Sequence, residues 1–130
     1  MIAERRRNLK DDFSNCISTA LYLVGETDND SHIEYPDKYI QKLKKTDNPS
    51  LGCLIDWEDI ISGTYHMAVI VKENPLMLST RNGSGENFIK NQLFSETDSI
   101  YKETIWRYKE KNNFYIPSKL QKILDAEESK

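Results

Sequence analysis

Two residues of this 130-residue chain have the types and settings that nucleophilic catalysis needs, Cys16 and His66. Cys16 follows Ser14 and Asn15, either of which can cap a helix. It precedes Ile17, Ala20, Leu21 and Val24, which fall at i, i+3, i+4 and i+7, the spacing of one buried helical stripe. A thiol in a first helical turn feels the positive end of the helix dipole and unpaired backbone N–H groups, and both favour the thiolate. The same N–H groups are placed to hold the oxyanion of a tetrahedral intermediate. A lone cysteine on a short helix is more often a small core residue. His66 changes that balance: it follows Gly63-Thr64-Tyr65 and opens Met67–Val71, the most apolar run of the chain. An imidazole at the mouth of a central strand can take the thiol proton and return it to a leaving group.

Other groupings carry less chemistry. Cys16, His32, Cys53 and His66 contain no closely spaced cysteine or histidine pair, so a zinc site is not expected. Cys53 lies in a buried strand and reads as inert core. His32 sits in an acidic loop with Asp28, Asp30 and Glu34 and reads as exposed. Asn82-Gly83-Ser84-Gly85-Glu86 lacks the Gly-Lys-Ser/Thr of a phosphate loop and reads as a turn. Asp56, Glu58 and Asp59 have the types for a carboxylate pair or a hard cation, but a solvated strand edge accounts for them. Trp57 beside them reads as core before cleft wall. Trp106, Arg107 and Tyr108 would stack on nucleobases only inside a basic patch, which the surrounding sequence does not supply.

The elements that must position Cys16 and His66 can be read from the same patterning. Gly25 suits the end of the cysteine helix. Pro36 opens a second short helix with Tyr39, Ile40 and Leu43 inward and Lys38, Lys42, Lys44 and Lys45 on a solvated outer side. Cys53–Trp57 and Met67–Val71 read as strands, and Glu73-Asn74-Pro75 turns the chain so that Leu76–Thr80 returns beside the second. Ile100–Tyr108 alternates and reads as a further strand. Pro117 opens a closing helix with Leu120, Ile123 and Leu124 on one side. Helices, then an antiparallel meander, then a helix make an α+β fold with the helices on one side of the sheet. No repeat or linker divides it, so residues 1–130 read as one domain, its core at about 13–117 and its last helix at 117–128.

Composition narrows the classes. Thirteen aromatic residues and a net charge of −3 exclude a disordered chain, and an acidic balance excludes a generic nucleic-acid binder. The longest uncharged run, Phe13–Gly25, is too short and polar to span a bilayer, so no membrane association is expected. Arg5, Arg6 and Arg7 imitate the start of an export signal, but Asp11 and Asp12 interrupt it and no cleavage site follows. A cytoplasmic protein with reduced thiols is the expectation, with export by a route that needs no amino-terminal signal left open.

Three blocks together resemble the NlpC/P60 proteins, a compact branch of the papain-like cysteine peptidases. They are Asn15-Cys16-Ile17-Ser18-Thr19-Ala20-Leu21-Tyr22-Leu23, Gly52-Cys53-Leu54-Ile55-Asp56-Trp57 and His66-Met67-Ala68-Val69-Ile70-Val71. The resemblance covers roughly Phe13 to Phe94 and implies N-terminal helices packed on a small antiparallel sheet. It implies a cysteine hydrolase, an amidase or peptidase with possible acyl transfer, in which Cys16 attacks and His66 serves as base and then acid. The implied substrate is a peptide, a peptidoglycan-like molecule or another acyl compound, with no metal or organic cofactor. The chain departs from the family at Asn15 and Cys53, where acidic residues are usual, and at Ile17-Ser18, where Ser-Gly is usual.

The family also places a His, Asn or Gln on the strand after the histidine strand, to orient the imidazole. If Lys72 pairs with Pro75, Ser79 shares the face of His66, and Ser79 becomes the expected third member. A register slip of one selects Thr80 and Asn82 instead. The loop at 26–34 and the turn at 82–86 would rim the cleft and set specificity. Two other readings stand beside the hydrolase: a binding or adaptor module that kept the fold without turnover, and an effector or toxin acting on cell wall or foreign proteins.

Overall fold

A computed structural model describes residues 2–10, 14–81, 89–104 and 112–129. In chain order the elements are α1 (Ile2–Arg7), α2 (Cys16–Leu23), α3 (Asp37–Ile40), β1 (Lys44–Thr46), β2 (Leu54–Asp59), β3 (Gly63–Lys72), β4 (Met77–Arg81), β5 (Ile89–Leu93), α4 (Phe94–Thr104), β6 (Asn113–Ile116) and α5 (Ser118–Glu128). The strands form one six-stranded antiparallel sheet in the order β1-β6-β2-β3-β4-β5. The fold is α+β.

Local chemistry sets the ends of α2. The Asn15 side chain accepts from the Ser18 N–H at 2.8 Å, and the Ser18 hydroxyl accepts from the Asn15 N–H at 2.8 Å, a reciprocal capping box. At the far end Gly25 takes φ +82°, the left-handed conformation that glycine enters without a Cβ penalty. Its N–H donates to the Tyr22 carbonyl and that of Glu26 to the Leu21 carbonyl, closing a Schellman turn.

Alternation along β2 and β3 divides the core between two faces. On one, Ile17, Ala20, Leu21 and Val24 of α2 pack on Leu54, Met67, Val69 and Tyr115. On the other, Ile55, Trp57, Ala68, Ile70 and Leu78 carry Phe94 and Tyr101 of α4 and Leu120 of α5. The expectation that helices cover one side of the sheet is therefore corrected: α2 lies on one face, and α4 and α5 reach the other.

The strand expected from Ile100 to Tyr108 is corrected as well. Residues 100–104 belong to α4, and 105–108 lie outside the described residues. Phe94, Thr97, Asp98 and Tyr101 fall at i, i+3, i+4 and i+7 and make the inward face of that helix. Phe94 and Tyr101 pack on the core, Thr97 is buried, and Asp98 accepts from the Trp57 indole N–H at 3.0 Å.

Candidate active site

Cys16 is the first residue of α2, so the capping box that fixes Asn15 and Ser18 also fixes its backbone. The Asn15 amide donates to the Ile33 carbonyl at 2.7 Å, which ties the loop at 26–34 to the same turn. Backbone N–H groups of Met67, Ile17 and Cys16 itself bear on the sulfur and favour the thiolate. Burial outweighs them and holds the thiol above its ordinary value. The N–H groups expected at a helix start do surround the sulfur, but desolvation decides the direction.

His66 lies on β3 opposite Trp57 and is 3% exposed. Its ring sits between two aromatics: Trp57 at 5.3 Å between centroids and 40°, and Tyr101 at 4.5 Å and 20°. Nε2 meets the Thr80 hydroxyl at 2.7 Å, and among the described residues Nδ1 has no hydrogen-bond partner. Burial alone pushes the imidazole down to about 4. At neutral pH the site therefore holds an uncharged imidazole and an uncharged thiol.

The third position is corrected from Ser79 to Thr80. Lys72 pairs with Met77, two residues beyond Pro75, and a β-bulge between Ile70 and Lys72 takes one residue back, so that Val69 pairs with Ser79, one residue away from the register that a Lys72–Pro75 turn gives. Thr80 thereby shares the face of His66. Ser79 points to the α2 face, where its hydroxyl is buried without a partner. Arg81 shares that second face and donates from Nε to the Thr19 hydroxyl at 2.6 Å. Asn82 and the turn at 82–86 lie outside the described residues.

The sulfur lies with the α2 face of the sheet and the imidazole with the α4 face, and two residues relate them. Met67, whose N–H bears on the sulfur, is the residue after His66 on β3. Tyr101 stacks on the imidazole, and the Cys16 sulfur adds to the burial that pushes its phenol up to about 12. No hydrogen bond joins the thiol to the ring in this state. Tyr101 was not foreseen from the sequence, although the helical spacing of Phe94, Thr97, Asp98 and Tyr101 was present to be read.

The remaining candidates take their places. Cys53 is fully buried, 3.3 Å from the Ser50 hydroxyl, and His32 is exposed. Trp57 is fully buried and walls the imidazole. Asp56 and Asp59 are corrected from a solvated edge to buried positions within β2. Asp56 accepts from Thr64, Asn113 and Tyr115, and its carboxyl is held above the usual range by burial and then by Glu58. Asn113 also donates to Glu58. Asp59 accepts from the N–H groups of Ile61 and Ser62 and shapes the β2–β3 turn. Among the described residues no group of three or more His, Cys, Asp or Glu is placed to hold a metal ion, and no helix is long and apolar enough to cross a membrane.

Comparisons with family models, with curated proteins and with solved structures find no match for this chain.

Proposed function

We propose that the chain is a cysteine hydrolase of papain-like, NlpC/P60 type that cleaves an amide or ester bond through an acyl-enzyme. One observation carries the reading: Cys16 heads a capped helix with its sulfur against the N–H of the residue after His66, whose Nε2 is already held by Thr80. Only Nδ1 is then left to receive the thiol proton. In the reaction the proton passes from sulfur to Nδ1 and the thiolate attacks the substrate carbonyl. The N–H groups bearing on the sulfur are placed to stabilise the resulting oxyanion. Collapse expels an amine or alcohol that takes the proton from His66, and water, giving its proton to His66, releases the acid. The substrate is a peptide, a peptidoglycan-like molecule or another acyl compound. Thr80 can accept the imidazole N–H, but it lacks the charge with which a carboxylate would stabilise an imidazolium.

A p-nitrophenyl ester tests this directly. Acylation is expected on Cys16 and not Cys53 by intact-mass and peptide analysis, and Cys16→Ser removes it. His66→Ala is expected to slow acylation by about 100-fold or more. An acylation rate indifferent to His66→Ala would leave a binding module, a reading favoured by the uncharged, desolvated pair.

A further inference from the structure

Aromatic and polar side chains attach helix α4 to the sheet. Phe94 and Tyr101 pack on Trp57, Asp98 bonds its indole, and the Thr97 hydroxyl bonds Gln92 and the Leu93 carbonyl. Ser95, Glu96, Ser99, Ile100, Lys102 and Glu103 face outward. The one α4 side chain stacked on the imidazole is Tyr101, near-parallel at 20° and close enough to exclude water from that ring face. Tyr65, itself exposed, meets the Tyr101 ring edge-on at 5.9 Å and backs it from the β3 side.

We propose that Tyr101 is a positioning residue for Cys16 and His66: carried on α4, its ring clamps the imidazole against Trp57 and keeps water from that ring face. The proposal rests on reading Cys16 and His66 as a working pair. Stacked aromatics favour an offset, near-parallel contact and hold the imidazole plane. Among the described residues nothing else around His66 supplies the effect by charge. Trp57 of β2 and Thr80 of β4 do not titrate at working pH, and Cys16 of α2 is an uncharged thiol. Tyr65 and Tyr101 are phenols, and the carboxylate on the inward face of α4, Asp98, is paired with the outer Lys102 at 2.8 Å. The cover therefore acts by removing water. Lifting it hydrates the imidazole, makes the imidazolium accessible, and so stabilises the Cys16 thiolate.

The test is an NMR titration of the full chain. It has two histidines, and exposed His32 serves as the internal reference. His66 in the wild type and in Tyr101→Phe is expected to titrate far below the ordinary imidazole range. In Tyr101→Ala its midpoint rises by about one pH unit or more, and p-nitrophenyl ester acylation of Cys16 at pH 7 becomes several-fold faster. Tyr101→Gln, which keeps the reach of the side chain but hydrates the ring, gives the same shift and serves if the alanine variant does not fold. An unmoved His66 midpoint in a folded Tyr101→Ala or Tyr101→Gln protein overturns the proposal, as does an equal shift in Tyr101→Phe. Failure of the hydrolase reading looks different: Cys16 stays inert to the ester in every variant while the His66 shift persists, and the clamp stands.

Discussion

Under α2 the sheet presents Leu54, Met67 and Val69 to Ile17, Ala20 and Leu21, aliphatic side chains that interdigitate and are buried almost without remainder. Under α4 it presents Trp57 and His66 to Phe94 and Tyr101, flat rings that stack rather than interlock, with both α4 rings only partly buried. The first face resists displacement because every methyl group lost leaves a void. The second holds by a few ring contacts and two polar anchors. Cys16 thus belongs to the rigid face and His66 to the adjustable one. The boundary between them is β3, where Met67 faces α2 and His66 faces α4.

The largest test of this contrast is truncation on each side. Leu21→Ala is expected to lower stability to denaturant by about 2–5 kcal/mol. Phe94→Leu, on the looser face, should cost under about 1.5 kcal/mol, and equal losses would erase the distinction. The next effect is in pH. An imidazole pushed from 6.5 to about 4 in the folded chain binds fewer protons than the unfolded chain between those values. Stability from this group is therefore complete above 6.5 and is lost as pH falls toward 4, by about 3 kcal/mol. Asp56, held above the carboxylate range, contributes with the opposite sign. Subtracting the His66→Gln stability curve isolates the imidazole, and a flat difference between pH 4 and 6.5 would deny that it is buried uncharged. The smallest effect compares neighbours on β4. Thr80→Val leaves Nε2 without its partner and should cost about 1–3 kcal/mol, whereas Ser79→Ala removes a hydroxyl that bonds nothing and should be near neutral. Reversed magnitudes would put the register on the other face.

What could be read from the chain alone follows from which signals were purely apolar. Helix α2 carries an apolar stripe between its cap residues and β3 an apolar run from Met67, while a glycine before β2 and a turn before β4 mark those strands. Cys16 was visible at the start of α2 and His66 just before the apolar run, three residues inside β3. Helix α4 was not, because two of its four inward positions are Thr97 and Asp98, whose burial depends on partners elsewhere in the fold. Strands β1, β5 and β6 are three to five residues long, too short for a period to declare itself. The Ser79–Thr80 choice turned on a bulge at Val71 inside an apolar run, where nothing in the residue types marks an extra position.

Asn15 occupies a place where an acid would serve equally well as a helix cap, yet its amide does a second job that a carboxylate has no hydrogen to perform. One oxygen accepts from the Ser18 N–H while the amide nitrogen reaches across to the Ile33 carbonyl. The loop leading from α2 toward α3 and the turn that carries the sulfur are consequently hinged on a single side chain. A rearrangement of that loop reaches the turn of Cys16 through this hydrogen bond as well as through the packing of Ile33, and the hydrogen bond is a mechanical link absent from a chain with aspartate at this position.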